Sequence, residues 1–521
     1  MFYTSHTVCF FMFMLVLFCS CGQDDAGTDP RVHFSSSGGD PVGAPAGMIY
    51  YDNVYHLFYL HDGNSMKNPG RWGHAVSNDL ISWEHKDVVI FPHIPGSVGA
   101  GSIVADVRNT SGLGTDGNPP LVAIFTCTDN EKLQEGDIYT QTQCLAYSLD
   151  KGDTWTAYEG NPVISNPGIS DFRDPKVFWY EPQGYWVMVA VTNGRVGFYT
   201  SPDLKSWTHS GDFGSGVDMA ENAWERPDLF ELSGDDGGER QWILTVSVGM
   251  GLYNDWVTGF FAGVFDGKTF VTDQTSPYRM DYGRDNYGGM TISNTGDRRL
   301  WIGWLNNPAY ADAAAASRWP GAMTIPRSLR LEKTPYYSFV ASLPVRERSV
   351  LHGERAEADG LVVKQDIHSE GISDLTPLLS APLTPSEVSI RFRASGDHWL
   401  QMGNAEKFGL RLSNGRGEYI LAGYDAYHQQ FYIDRTSSAA LDLPPSYAGV
   451  HLQQYPMEES NSLEMQIIID AYSLEMFAMD GKVVFTERLY PSTAFDRLEV
   501  FAENGKVNVE NISVTPFKSH E

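Results

Sequence analysis

Apolar and polar residues alternate over short runs along most of the chain, a pattern typical of β-strands. Met48 to Tyr51 and Val54 to Tyr59 are two aromatic and β-branched runs joined by the pair Asp52-Asn53. A second such pair of runs, within residues 187–200, is joined by Asn193-Gly194. Two-residue connections of this composition predict β-hairpins. The first part of the chain is therefore predicted to be all-β.

A short phrase recurs between these runs. Its copies combine Ser, Asp and a closing Trp and begin at Ser77, Ser148 and Ser201, and Phe265-Asp266-Gly267 opens a shorter fourth version. Each copy is interpreted as a tight turn in which Asp or Gly forms the bend and the aromatic residue packs on the next strand. Recurrence at about 50 to 70 residues is the spacing of four-stranded propeller blades with their loops. The repeat predicts a β-propeller.

The phrase stops after Leu331, and the segment to about Thr376 is rich in charged and turn residues. Alternation resumes at Glu387, with many short strands separated by turns, which favours a β-sandwich. A chain of 521 residues is also longer than one core ordinarily supports, so two domains are expected. We assign the propeller to 31–340 and the sandwich, with its connecting segment, to 341–521.

The first 21 residues have the pattern of an export signal. Phe10 to Phe18 is almost wholly apolar, too short to span a bilayer comfortably, and is followed by Cys19-Ser20-Cys21-Gly22. This order resembles a bacterial lipoprotein signal, with Cys21 lipidated and 22–30 as a tether. The protein would then be an outer-membrane or cell-surface lipoprotein, touching the membrane only through that lipid. A cleaved signal peptide, giving a periplasmic or secreted protein, is the alternative.

The net charge and the cysteine content limit the classes of ligand and site that the protein can have. The net charge of -28 argues against nucleic acid, whose phosphates would be repelled, and favours a neutral ligand. Outside the signal-like segment only Cys127 and Cys144 remain, so there is no disulfide framework and no CxxC metal pair. One bridge and two free thiols are both compatible with the sequence. The oligomeric state is left open.

Two phrases, each with a carboxylate shortly before a proline, contain the candidate catalytic residues. Asp174-Pro175 follows Arg173, and Pro227 follows Glu225-Arg226, in each case at the start of a predicted strand. Innermost strands of different blades converge at the mouth of a propeller channel, so carboxylates placed there can meet in space. Arg173 would stabilise the ionised form of Asp174, and the neighbouring Trp224 would desolvate Glu225 and favour its acid form.

Longer phrases resemble glycoside hydrolase family 32, the β-fructosidases that include invertases, levanases and inulinases. In order they are Tyr55-His56-Leu57-Phe58-Tyr59, Trp72-Gly73-His74-Ala75-Val76-Ser77, Asn109-Thr110-Ser111-Gly112, Phe172-Arg173-Asp174-Pro175, Trp224-Glu225, Pro227-Asp228-Leu229-Phe230, Ala322-Met323-Thr324-Ile325-Pro326-Arg327, Phe431-Tyr432-Ile433-Asp434-Arg435-Thr436 and Leu474-Glu475-Met476-Phe477. The resemblance extends from about Arg31 to near the C-terminus. It implies a five-bladed β-propeller followed by a C-terminal β-sandwich. It also implies a retaining hydrolase of oligo- or polysaccharides that uses no metal or other cofactor.

The resemblance assigns roles by position. Glu225 would be the general acid/base, and Asp174 would bind the fructosyl hydroxyls and stabilise the transition state. The substrate-binding candidates are Arg173, Arg226, Trp72 and Trp319, the two tryptophans, like Trp224, as surfaces on which a sugar ring can stack. Retention further requires a nucleophile roughly 5 to 5.5 Å from the acid.

The nucleophile is the point at which the sequence departs from the family. The family places it in a phrase of the form Asn-Asp-Pro-Asn-Gly just before the first strand, and counting back from Met48 aligns that phrase with 43–47. Ala44 then stands where the carboxylate belongs. If 44–47 is instead an insertion in a loop rich in Gly and Pro, Asp40 is the counterpart. We take Asp40 as the third catalytic candidate.

Other departures fall in the same predicted pocket. The family's Gln, Phe-Ser, Cys and Arg are replaced here by Leu60, Gly99-Ala100, Arg226 and Pro320, respectively. The loss of these polar groups predicts an altered sugar specificity. The retained pair of Asp174 and Glu225 favours a glycoside hydrolase of the β-fructosidase type. Ala44 favours the alternative, a non-catalytic glycan-binding surface lipoprotein.

Overall fold

The computed structural model describes residues 32–35, 41–61, 71–89, 96–115, 117–215, 224–234, 240–250, 255–311, 321–333, 338–364, 371–396, 398–440, 442–457 and 461–518. The signal-like segment 1–21 and the tether 22–30 lie outside these ranges. So do Asp40 and Trp319.

Five antiparallel sheets of consecutive strands form the first part of the chain. Blade 1 contains β1 (Pro45–Tyr51), β2 (Val54–Leu60), β3 (Trp72–Ser77) and β4 (Glu84–Val89). Blade 2 contains β5 (Ser97–Ala105), β6 (Leu121–Thr128), β7 (Gln141–Ser148) and β8 (Thr156–Ala157), with a short helix, α1 (Asn130–Gln134), after β6. Blade 3 contains β9 (Phe172–Tyr180), β10 (Tyr185–Thr192), β11 (Val196–Ser201) and β12 (Thr208–Phe213).

The remaining two blades have the same plan. Blade 4 contains β13 (Trp224–Leu232), β14 (Gln241–Met250), β15 (Asp255–Phe265) and β16 (Phe270–Val271), and β17 (Tyr278–Arg279) also pairs with β15. Blade 5 contains β18 (Tyr287–Thr291), β19 (Arg299–Trp304), β20 (Arg327–Lys333) and β21 (Ser338–Pro344). The first strands of the blades contact one another in the order β1, β5, β9, β13, β18 and back to β1. They enclose a central channel, and the predicted propeller is confirmed.

The recurring phrase forms the turn between the third and fourth strands of its blade. In blade 1, Asp79 Oδ1 accepts hydrogen bonds from the amides of Ile81 and Ser82, and the indole of Trp83 donates to the carbonyl of Leu80 over 2.9 Å. Trp155 and Trp207 make the same tryptophan-to-backbone bond in blades 2 and 3. The two predicted hairpins also form, β1 with β2 and β10 with β11.

The second part of the chain is a sandwich of two six-stranded antiparallel sheets. Its strands are β22 (Ala356–Lys364), β23 (Gly371–Asp374), β24 (Ser386–Arg393), β25 (Lys407–Ser413), β26 (Tyr419–Asp425), β27 (Gln430–Asp434), β28 (Val450–Gln454), β29 (Ser462–Asp470), β30 (Ser473–Ala478), β31 (Val483–Arg488), β32 (Arg497–Glu503) and β33 (Lys506–Pro516). Two 3-10 turns, Arg346–Leu351 and Thr376–Leu378, flank the first two of these strands. One apolar core lies between the sheets, as expected for facing strands whose inward positions alternate with outward ones.

Propeller and sandwich meet through buried charges. We call His33, Asp281, Arg327, Asp470 and Glu475 the His33 cluster. Arg327 donates to Asp281 over 2.8 Å and also binds Glu475, while His33 lies 3.0 Å from Asp470 and 2.7 Å from Glu475. All five side chains are 2% exposed or less. Each carboxylate in this cluster therefore contacts a cation inside the interface.

A second interface cluster surrounds Arg435. Its Nη1 lies 2.5 Å from Asp285 and 2.8 Å from Glu487, its Nη2 donates to the hydroxyl of Tyr310, and none of the three charged side chains is exposed. Asp285 and Tyr310 belong to the propeller, whereas Arg435 and Glu487 belong to the sandwich. The second domain is thus fixed to the first by ion pairs as well as by apolar packing.

Two smaller observations complete the fold. Cys127 and Cys144 form a disulfide between the adjacent strands β6 and β7, which decides the alternative that the sequence left open. Within the described ranges, no helix has the length and apolar character needed to cross a bilayer.

Candidate active site

Every innermost strand begins with an irregularity in its pairing, and together these form one mouth of the channel. The register shifts lie between Pro45 and Gly47 in β1, Val98 and Gly101 in β5, Arg173 and Lys176 in β9, Glu225 and Asp228 in β13, and Tyr287 and Met290 in β18. A β-bulge bends a strand and redirects its side chains, and bulges are frequent beside active sites. The two phrases that carry the predicted carboxylates coincide with two of these bulges.

Three bulge residues adopt left-handed backbone conformations. Asp174 and Arg226, each directly before a proline, have φ of 58° and 52°, and Gly288 in β18 has φ of 58°. Such a conformation costs a residue other than glycine about 1–3 kcal/mol unless its surroundings enforce it. Here the Asp174 amide donates to Thr126 Oγ1 over 3.0 Å, and the Arg226 amide donates to Asp174 Oδ2 over 3.1 Å. The strain is held by hydrogen bonds between blades 2, 3 and 4.

Glu225 projects into the mouth, and both of its carboxyl oxygens contact neighbouring side chains. Oε1 lies 3.3 Å from Arg173 Nη2, and Oε2 accepts a hydrogen bond from the hydroxyl of Tyr287 over 2.5 Å. Burial, followed by the charge of Glu225, raises the pKa of Tyr287 well above its ordinary value, so the phenol stays a donor. The Glu225 side chain is still 26% exposed, which leaves it open to a substrate.

Asp174 lies beside Glu225 but deeper, at 8% exposure. Its Oδ2 is 3.6 Å from Arg173 Nε and 3.9 Å from Arg226 Nε, in addition to the bond from the Arg226 amide. Arg173 also binds Asp171, so one guanidinium contacts three carboxylates. The structure thus brings the predicted residues Asp174, Glu225, Arg173 and Arg226 together at one point.

Ala44 occupies the same mouth. A Cβ placed on Gly288 would lie 3.3 Å from the Ala44 methyl and 3.5 Å from Arg226 Cγ, so these three residues adjoin. Arg226 Nη1 donates to the carbonyl of Pro45 over 2.7 Å, which ties β13 of blade 4 to the entrance of β1. The chain positions aligned with the family's nucleophile are therefore in the site, but they present a methyl group next to a guanidinium.

Trp72 and Trp224 do not provide the predicted stacking surfaces. Trp72 is completely buried against Phe58 and Phe125, and its indole nitrogen donates to the carbonyl of Gly99 over 3.0 Å. Trp224 is 2% exposed and also lies in an apolar blade core. Strand alternation explains the error, because it turns these side chains into the packing between blades and away from the channel. The desolvation of Glu225 predicted from Trp224 is replaced by contacts to Arg173 and Tyr287.

Sequence reasoning missed Tyr287, Gly288 and Thr126 as parts of the site. No phrase marks them, but Tyr287 and Gly288 open the innermost strand of blade 5 just as Glu225 and Arg226 open that of blade 4. Aligning the first residues of the five inner strands would have found them. Among the residues that the structure describes, no group of three or more His, Cys, Asp or Glu side chains has a geometry suited to a metal ion.

Two family descriptions match the chain. "Glycosyl hydrolases family 32 N-terminal domain" matches residues 37–340, and "Glycosyl hydrolases family 32 C terminal" matches residues 358–516. The chain belongs to glycoside hydrolase family 32. The family predicted from the sequence phrases is confirmed, and the first match ends within β21, the last propeller strand, while the second begins within β22, the first sandwich strand.

Several characterised members of family 32 are similar over nearly the whole chain. A levanase of Bacillus subtilis (strain 168) is 36% identical over 97% of this chain and 74% of its own length. An extracellular exo-inulinase of Aspergillus ficuum is 31% identical over 90% of this chain and 92% of its own. The crystal structure of an exo-inulinase from Aspergillus awamori superposes with a TM-score of 0.83 at 29% identity, over 95% of this chain and 99% of that one. The five-bladed propeller with a C-terminal sandwich is thus the family's architecture.

Proposed function

We propose that this family 32 glycoside hydrolase cleaves fructosyl bonds in fructan-type oligo- or polysaccharides by a retaining mechanism. The observation that carries the proposal is the convergence of Glu225 and Asp174 at the channel mouth, with Glu225 reachable from solvent. The levanase and exo-inulinase relatives support a fructan as the substrate class. A neutral polymer also suits a protein with a net charge of -28.

The geometry supports a defined division of labour. Glu225 donates a proton to the oxygen of the leaving sugar and later removes one from the attacking water. Arg173 and Tyr287 keep its carboxyl group aimed at the mouth. Asp174, which already accepts the Arg226 amide, retains acceptor capacity for the hydroxyls of the fructosyl unit. Arg173 and Arg226 line the same mouth as substrate-binding candidates.

Asp40 is our proposed nucleophile. Its carboxylate would attack the anomeric carbon as the bond to the leaving oxygen breaks and Glu225 protonates that oxygen. Water would then displace Asp40 from the covalent fructosyl-enzyme, with Glu225 taking the proton. The support is its place in the chain: Pro41 to Gly43 connect it to Ala44 at the mouth, and the Gly43 amide donates to the carbonyl of Leu60 over 2.8 Å. Asp40 is therefore four residues from Ala44, which lies inside the site.

A second candidate function follows from Ala44 itself. Its methyl group beside Arg226 cannot form a covalent intermediate, so a chain lacking any other nucleophile would bind fructan without cleaving it. In this alternative the cleft still binds fructan, but the bound fructan is not cleaved.

Location is also part of the proposal. The extracellular exo-inulinase among the relatives is consistent with an exported protein. We infer that the chain is exported as a surface lipoprotein anchored through Cys21, with a freely secreted or periplasmic protein as the alternative. Incorporation of labelled palmitate by the full-length protein, and its loss in Cys21→Ala, would distinguish the two.

The experiment is a product screen on levan, inulin and sucrose with the wild-type protein, Asp40→Ala and Ala44→Asp. We expect product from wild type and none from Asp40→Ala, while Asp212→Ala, an exposed carboxylate on a blade edge, keeps wild-type turnover. Product from Asp40→Ala at the wild-type rate would remove Asp40 from the mechanism. Fructan binding without product in wild type, with turnover appearing in Ala44→Asp, would establish the binding protein.

A further inference from the structure

Directly below the mouth, three buried polar residues connect the strands that carry the site. Lys176 in β9, Asp228 in β13 and Thr291 in β18 are 5%, 0% and 5% exposed. Lys176 follows Asp174 by two residues, and Asp228 follows Glu225 by three. We call Lys176, Asp228 and Thr291 the channel cluster.

All three members of the channel cluster contact one another. Lys176 Nζ lies 3.2 Å from Asp228 Oδ2 and donates to the carbonyl of Thr291 over 2.7 Å. The amide and the hydroxyl of Thr291 both donate to Asp228 Oδ2 over 2.7 Å. Each contact joins two different blades. The cluster therefore fixes the heights of β9, β13 and β18 relative to one another.

Stability alone gives little reason for this arrangement. A buried ion pair loses much of its attraction to desolvation, and well-packed apolar residues often replace such a pair at no cost. Burial lowers the pKa of Lys176, and the neighbouring Arg299 acts in the same direction against the opposing charge of Asp228. Lys176 and Thr291 also line a cavity of about 520 Å³ on the side away from the mouth. The channel cluster therefore lies between the mouth and this cavity.

The bonds of the site cross the same strand boundaries. Arg173 in β9 meets Glu225 in β13 at 3.3 Å, and Tyr287 in β18 meets Glu225 at 2.5 Å. A displacement of one strand along another would lengthen these contacts and turn the carboxyl of Glu225 away from its substrate. Misplacement by about 1 Å can cost on the order of a hundredfold in rate.

We propose that Lys176 and Asp228 are positioning residues, whose ion pair, completed by Thr291, sets the strand registration that aims Glu225 and Asp174 at the substrate. They touch neither the substrate nor the reacting atoms. The proposal deepens the proposed function and rests on it for its kinetic readout.

The test compares Lys176→Met, Asp228→Asn and the double variant in steady-state kinetics on the fructan that wild type cleaves. Lys176→Met leaves Asp228 buried without its cation, and the double variant removes both charges while keeping similar shapes. We expect kcat to fall about tenfold to a hundredfold in all three, and KM to rise by up to about tenfold because the binding residues Asp174 and Arg226 shift together with Glu225. We also expect the melting temperature, lowered in Lys176→Met, to recover in the double variant while kcat does not.

The matched control is Arg435→Met, which breaks a buried ion pair at the interface and not in the channel. It should lower the melting temperature at least as much as Lys176→Met, yet keep wild-type kcat at temperatures where it is folded. Thr291→Ser, which retains the hydroxyl, should keep more activity than Thr291→Val. A kcat that recovers together with the melting temperature in the double variant, or that stays at the wild-type value in Lys176→Met, would overturn the positioning role.

Failure of the proposed function has a different signature. Wild type would then release no product from any fructan, and the same variants would be examined by calorimetric titration with fructose and levan. Displacement of Asp174 and Arg226 should weaken binding by about tenfold in Lys176→Met and leave it unchanged in Arg435→Met. Equal affinities in wild type and Lys176→Met would contradict positioning in that case too.

Discussion

The channel mouth and the propeller–sandwich interface are both built from arginines and carboxylates, but those of the interface are buried and those of the mouth are open to solvent. At the interface, Arg327 and Arg435 each contact two carboxylates and are 1% exposed or less. At the mouth, one guanidinium, that of Arg173, contacts three carboxylates and is 22% exposed, and Glu225 is 26% exposed.

This difference in exposure distinguishes a structural ion-pair cluster from a catalytic one. A buried cluster in which every carboxylate contacts a cation can orient two domains but is closed to a ligand. A cluster of the same charges that is open to solvent keeps acceptors and an exchangeable proton for a substrate. The role of an Arg-Asp phrase therefore depends on whether the folded chain leaves it exposed, and perturbing each region should give a distinct result.

The largest effect is expected from Glu225→Gln at the mouth. The change removes the transferable proton and keeps the size of the side chain, so turnover of fructan should fall about 10²- to 10⁴-fold while binding is retained. Initial rates and calorimetric binding of levan by the two proteins provide the measurement. Because Glu225 lies in the solvent-open mouth and not in a buried ion-pair cluster, the melting temperature should stay the same. Wild-type turnover in this variant would remove Glu225 from the mechanism.

A smaller effect, on stability and not on catalysis, is expected from pH at the His33 cluster. Burial alone would lower the pKa of His33, but hydrogen bonds and charges from Asp470 and Glu475 raise it to about 9. A raised pKa in the folded state means that the cluster's contribution is complete below the unfolded value of about 6.5. It is then lost as the pH rises through about 9.

The measurement is the free energy of unfolding in urea of wild type and His33→Gln from pH 6 to pH 10. The difference between the two proteins should be largest at pH 6 and shrink across this range. A difference that is constant or that grows with pH would contradict a charged His33 in the interface. Glu225→Gln serves as the control, since the mouth should contribute no such trend.

The features that could be predicted from the sequence alone also differ between regions of the molecule. The hairpins and the turn phrase were predictable because their determinants, such as Asp52-Asn53 and the Trp83 turn, are local. Asp174 and Glu225 were predictable because a carboxylate shortly before a proline recurs at the start of two predicted strands. The hydrogen bond from Tyr287 to Glu225 was not, since it forms only when β18 closes the ring beside β13.

Contacts between distant parts of the chain account for the remaining gaps. The bond from Arg226 to Pro45 joins residues 181 positions apart, and no local pattern announces it. Trp72 was assigned to the cleft, but it begins β3, the third strand of its blade, and packs in the apolar core between blades 1 and 2. The interface ion pairs, from Arg327 to Glu475 for example, likewise depend on how two domains dock.

The most direct test of the central claim, retaining cleavage of a fructan, is the stereochemistry of the product formed in the presence of methanol. Wild-type protein is incubated with levan or inulin and methanol, and the methyl fructoside is analysed by ¹³C nuclear magnetic resonance, because the methyl group locks the anomeric centre. A covalent fructosyl-enzyme predicts the methyl β-fructoside, with the configuration of the substrate retained. The methyl α-fructoside, or the absence of both fructoside and free fructose from every fructan, would contradict the account.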